Sequence, residues 1–107
     1  MSHKVYRGFR YSGRMGGQLV MKYDDILDPN PSQKVWNHSP DGFNWGYGGS
    51  GPAQLALALL LDVTADKERS VKYHQKFKRA FVAGWGNVWE ITEAEITTWL
   101  ESQGGEW

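Results

Sequence analysis

The sequence predicts an α+β domain: two short alternating segments joined by glycines come first, three stretches with helical signals follow, and one of those stretches is apolar on every side. Residues 4 to 10, KVYRGFR, alternate loosely around Val5, Tyr6 and Phe9, and residues 18 to 23, QLVMKY, read as a second strand. The intervening YSGRMGG suits a reversal, which gives an antiparallel hairpin with Arg14 near its tip. DDILDPNPSQKVWNHSPDG follows, and its Asp-Pro, Asn-Pro and Ser-Pro steps resist regular structure. We expect a long ordered loop there, or an irregular edge strand around Val35 and Trp36.

PAQLALALLLDV, after Gly51, has only Gln54 as an interruption before its last turn, so it reads as a central buried helix over about residues 52 to 63 with Pro52 in its first turn. A second helix is predicted from about Asp66 to Ala83. Tyr73, Phe77, Ala80 and Phe81 would form its buried stripe, while Lys72, Lys76 and Arg79 recur at i, i+4 and i+7 on another face. GWGNVWEI breaks that helix and gives a short strand at Val88 to Ile91. Thr92-Glu93-Ala94-Glu95 then has the spacing of a capping box, opening a last helix that offers Ile96, Trp99 and Leu100 to the core. The predicted architecture is an N-terminal hairpin extended by one or two short strands and packed on three helices.

A chain of 107 residues is the size of a single domain, here residues 1–107. Without cysteine it has no disulfide framework and no thiol nucleophile. It shows neither a spanning apolar run nor the apolar core of a signal peptide, so a cytoplasmic location is expected. Six Trp, five Tyr and four Phe exceed what one small core encloses. That surplus points to a homo-oligomer, with Trp85, Trp89 and Trp107 as contact candidates. Charge is balanced at 12 basic and 12 acidic residues but unevenly placed. Lys4, Arg7, Arg10, Arg14 and Lys22 cluster in the hairpin, Lys67 to Arg79 form a second basic segment, and the tail from Glu90 is acidic.

The densest chemical signal is the segment from Gly42 to Ala56, GFNWGYGGSGPAQLA, which runs directly into the buried helix. First-turn N–H groups lack intrahelical acceptors and carry the positive end of the helix dipole, a geometry that holds anions. On this reading backbone N–H groups of Gly48, Gly49 and Gly51 with the Ser50 hydroxyl hold phosphate, and Trp45 and Tyr47 stack on a base. Arg7, Arg10, Lys72, Lys76 and Arg79 then neutralise charge. The structural alternative is that the glycines let a tight loop cross the core and that Ser50 or Gly51 caps the helix. No lysine follows the glycines as in a Walker loop, and no dinucleotide fingerprint is present.

FNWGYGGSGPAQLALALLLDV resembles the signature of an uncharacterised family of small proteins from phages, plasmids and bacterial mobile elements, in particular its W-G-Y-G-G-S-G-P-A-Q-L-A string. The resemblance continues through Tyr73, Phe77, Lys78, Phe81 and Val82 and through Trp89, Ile91, Thr92, Ile96 and Leu100. It implies a context, countering host defences, and no catalytic residues or cofactor. His3, His38 and His74 lie far apart without metal-ligand spacing, and His74 reads as a packed side chain. Asp24, Asp25 and Asp28 fit no calcium loop and read as solvated turn residues. We therefore expect a non-enzymatic binding protein for an anionic small ligand, a nucleotide or a cyclic nucleotide signal of antiviral defence. The rival is a protein–protein inhibitor or assembly factor using exposed aromatics, with a host defence protein as partner. A third reading, nucleic-acid binding through Lys72, Lys76 and Arg79, conflicts with the zero net charge. The first two differ in shape: a ligand site is a pocket with glycine N–H groups and Arg side chains converging on one point, and a protein-binding patch is flat with exposed Trp.

Overall fold

The computed structural model describes residues 4–11 and 17–103. His3, Arg14, expected near the hairpin tip, and Trp107 lie outside the described residues. Strands β1 (Val5–Tyr11), β2 (Gly17–Lys22), β3 (Asp25–Ile26) and β4 (Val88–Thr92) form one antiparallel sheet in the order β3-β2-β1-β4. The helices are α1 (Asn30–Val35), α2 (Ser50–Thr64), α3 (Lys67–Ala80) and α4 (Glu93–Glu101), with a 3-10 turn at Val82–Gly84. The α+β class, the hairpin and the strand after the second helix are as the sequence predicts. None of the described helices is long and apolar enough to cross a membrane.

The register of β1 decides which side chains face the helices. Tyr6 pairs with Lys22 and Ile91, and Gly8 with Val20 and Trp89; Tyr6, Val20, Trp89 and Ile91 are all buried in the core. Gly8 must lack a side chain, because a Cβ there would lie 2.1 Å from Nε1 of the Trp89 ring. With Tyr6 inward, Phe9 lies three residues on and therefore on the opposite face. It is 38% exposed.

Helix α2 occupies the centre, and every residue from Gly51 to Leu60 is buried. It ends where Ala65 adopts a left-handed backbone and donates its N–H to the Leu61 carbonyl. At this end the helix is tied to the sheet through Asp62, whose carboxylate accepts from the Tyr6 hydroxyl at 2.5 Å and from Lys22 Nζ at 2.8 Å. Burial first, and then the Asp62 carboxylate, push the Tyr6 phenol well above its ordinary range.

Helix α3 starts at the Asp66 cap, which accepts from Arg69 N–H. Its buried positions are Ser70, His74 and Phe77, flanked by the partly buried Tyr73 and Phe81. Ala80, expected in this stripe, is exposed, and the helix ends there rather than at Ala83. Phe81 leaves helical geometry at φ −129°, and the 3-10 turn follows. The capping box of α4 forms as its spacing predicts, with Ile96 and Leu100 buried and Trp99 edge-on to Phe77 at 5.2 Å.

Residues 30–35 are a short helix, neither the loop nor the edge strand expected. The Asp28 carboxylate accepts from Asn30 N–H, and Pro31 sits in the first turn, where a missing donor costs nothing. Trp36 then returns to extended backbone.

Because Leu59 is fully buried at the middle of α2, Leu59→Ala is expected to cost about 2 to 5 kcal/mol of stability, measured by urea denaturation.

Candidate functional site

The glycine segment does lead into the N-terminus of α2, but its side chains turn inward. Trp45 is 1% exposed, and its indole N–H donates to the Gly86 carbonyl at 2.6 Å. Its ring stands edge-on to Trp89, which Trp85 stacks upon at 4.0 Å. Trp45 therefore belongs to the core, and its expected role as a base-stacking platform is corrected by that burial. Gly46 needs its missing side chain twice over: its φ is +88°, and a Cβ would come within 3.0 Å of the Trp85 carbonyl.

Arg10 reaches this loop from β1. Its Nη2 donates to Asn44 Oδ1 and to the Trp45 carbonyl, both at 2.8 Å, and its Nη1 to Asn87 Oδ1 at 3.2 Å. The guanidinium also sits 4.7 Å from the Trp45 ring centre. These bonds commit Arg10 to tying the loop to the sheet.

At the helix start the N-cap is Gly49, in extended backbone and with no side-chain cap, so neither Ser50 nor Gly51 fills that position. The Tyr47 ring lies over Gly49 so closely that a Cβ would fall 2.4 Å from it, and a Cβ on Gly51 would fall 2.6 Å from the Cβ of Asn44. Tyr47 is nonetheless 48% exposed, with Gly48 and Ser50 exposed on either side of Gly49. Geometry explains Gly49 and Gly51 as room for Tyr47 and Asn44 to close on the helix.

The remaining basic residues do not converge on this point. Arg7 is exposed and pairs with Glu90 at 3.0 Å on the sheet's outer face. Lys72 lies by Tyr73 and Asp66 near the α2–α3 junction, the opposite end of the helical pair from Gly49. Lys76 and Arg79 are exposed on α3. Arg79 is the nearer of them to the loop, since it comes three residues before Val82, whose carbonyl accepts from Gly46 N–H.

A polar centre that the sequence reading did not anticipate lies one turn into α2. The fully buried Gln54 accepts at Oε1 from the N–H groups of His38 and Ser39, at 2.7 and 2.9 Å. Its Nε2 donates to Ser32 Oγ and to the Trp36 carbonyl. Beside it His38 and His74, 36 residues apart, meet Nε2 to Nε2 at 2.9 Å. His74 is packed as expected, at 1% exposure. The available signal was Gln54 itself, a lone polar residue in an apolar helix, which requires buried partners. No cluster of three or more metal-ligating side chains occurs among the described residues.

The fold and this loop define a small α+β domain with one sheet, its helices gathered on one face. Residues 6–102 match the model of a family of unknown function, DUF6166, and the chain belongs to that family. No curated protein and no solved structure matches it.

Gln54→Leu leaves two donors and two acceptors of residues 32–39 without their partner, and is expected to cost about 3 kcal/mol or more in urea denaturation. For the loop, Gly49→Ala is expected to destabilise the wild type yet be tolerated on a Tyr47→Ala background. A double-mutant cycle of thermal melts then yields a coupling of about 1 to 2 kcal/mol.

Proposed function

We propose that this protein is a non-enzymatic protein-binding domain whose docking surface is the open face of the sheet. One observation carries the reading: the outward positions of the sheet are largely apolar. Strand alternation places Phe9 and Tyr11 of β1, Leu19 and Met21 of β2, Ile26 of β3 and Val88 of β4 on the face away from the helices. Phe9, Tyr11, Ile26 and Val88 are 38, 53, 66 and 68% exposed. An antiparallel sheet with one solvated face ordinarily alternates apolar-in with polar-out, whereas here both sets are apolar. Arg7 and Glu90 are the charged pair on this face, and they neutralise each other. Exposed apolar side chains gathered on one face favour a protein partner over a small ligand. The resemblance to small proteins of phages and mobile elements makes a host defence protein the partner we favour.

The rival, an anionic ligand such as a nucleotide or cyclic nucleotide signal at the start of α2, keeps the support of the exposed Gly48 and Ser50 and of first-turn N–H groups without intrahelical acceptors. It does not have Trp45, Arg10 or Lys72 to draw on. Two shallow depressions of about 490 and 550 Å³ lie at the start of α4 and beside β3, and neither is lined by the glycine segment.

Ile26→Lys and Val88→Lys change exposed side chains, so stability is expected to stay within about 0.5 kcal/mol of wild type. Both variants are expected to lose, more than tenfold, the capture of a protein partner from host lysate, while calorimetry against mono-, di- and cyclic nucleotides stays flat. Undiminished capture by both variants, or micromolar nucleotide binding that Gly49→Trp abolishes, overturns the reading.

A further inference from the structure

We propose that His38 and His74 form a proton-operated latch, which holds residues 36–41 against α2 and α3 at neutral pH and releases them on acidification. The protonation states follow from the hydrogen bonds. His74 Nδ1 lies 2.7 Å from the Val71 carbonyl, an acceptor only, so Nδ1 carries a proton, and in the neutral ring favoured by burial Nε2 is bare. The 2.9 Å contact between the two Nε2 atoms then requires that His38 Nε2 donates. Both rings are neutral in the closed latch.

Around the pair, the Trp36 ring stacks on His38 with centroids 4.4 Å apart and stands edge-on to His74 at 5.5 Å. Helix α2 contributes the uncharged Gln54, which holds the backbone N–H groups of His38 and Ser39. Helix α3 contributes Lys78, the charged side chain acting on both rings. Burial, the larger effect for each ring, acts with this lysine to hold both imidazoles below their ordinary value of 6.5.

The closed pair has room for one added proton, on His38 Nδ1, because that leaves His38 Nε2 donating. A second would have to enter between the rings, setting two N–H groups and two cations against each other. The open pair takes up two. Since the rings bind protons less readily closed than open, the latch is at full strength above pH 6.5 and weakens as pH falls below it. What opens is bounded on both sides. Ser32 remains bonded to Gln54 before the segment, and Asn44 to Arg10 after it.

Amide hydrogen exchange of the intact protein between pH 7.5 and 4.5 tests this, because the His38 and Ser39 N–H groups report docking on Gln54 directly. After correction for intrinsic exchange, their protection is expected to fall about 10- to 100-fold per pH unit below pH 6, the response to one to two protons. Leu59 and Leu60 amides, at the centre of α2, should not follow. His38→Gln retains a donor toward His74, removes one titrating ring, and is expected to make the slope shallower than that of the wild type by about one proton, a factor of about ten per unit. His74→Gln is expected to do the same, and His38→Gln, at a half-buried position, serves if that variant does not fold. Long-range nitrogen NMR at pH 7.5 should find the Nδ1–H tautomer at His74 and the Nε2–H tautomer at His38. Protection that is independent of pH, an unchanged slope in His38→Gln, or the opposite tautomers overturns the latch.

Discussion

The structure depends on a helix that has no side to show to water. Every residue of α2 from Gly51 to Leu60 is buried, so the rest of the chain has to enclose it: the sheet, α3, α4, and the α1 segment with its following loop. Burying a leucine side chain stabilises by about 1.5 to 3 kcal/mol, and this helix contributes Leu55, Leu57, Leu59 and Leu60 at zero exposure. That drive is non-directional. Direction comes from the polar atoms the helix carries inside with it. Gln54 organises residues 32–39 near one end, and Asp62 binds Tyr6 and Lys22 of the sheet near the other. Each is an interaction that a shifted register or rotated helix would leave unmade at the desolvation cost of a buried polar group.

The same demand explains the glycine segment. The chain must cross the sheet edge and enter α2 beside Trp45, Trp85 and Trp89, whose rings pack within 6 Å of one another in the two contacts they make. Side chains at Gly46, Gly49 or Gly51 would collide with the Trp85 carbonyl, with Tyr47 or with Asn44. Arg10 supplies the charge-assisted bonds that hold this crossing. A pattern that resembles a phosphate cradle in one dimension thus serves close packing in three, and Trp45 and Arg10 are committed to that packing.

With the helices gathered on one side, the other face of the sheet is left as the distinctive surface. Of its apolar outward positions Phe9, Tyr11, Ile26 and Val88 are exposed and Val5, at the end of β1, is buried, whereas the inward ones, Tyr6, Val20, Trp89 and Ile91, are all in the core. The surplus of aromatics is divided accordingly: Trp45 and Trp89 are buried, while Phe9, Tyr11, Trp36 and Tyr47 remain exposed. The histidine pair lies beside Gln54, where the loop is held by hydrogen bonds and by the Trp36 ring stacked on His38.

The sequence by itself determined the elements whose cause is local: the hairpin strands, the apolar run of α2, the Thr92 to Glu95 capping box, and the short strand before it. Their signals are spacing and side-chain chemistry within a few residues. α1 was missed because three X-Pro steps read as loop, although Asn30-Pro31 also begins a helix once the Asp28 carboxylate takes the first N–H. The end of α3 and the facing of Phe9 were decided by where Tyr6 and Phe77 had to be buried. Tertiary structure alone decided the rest. It joined Gln54 to residues 32–39, brought His38 to His74, and turned Arg10 and Trp45 from ligand donors into core fastenings. Those outcomes depend on which distant groups are close enough to satisfy a buried polar atom, and a linear pattern carries the need for a partner without its address.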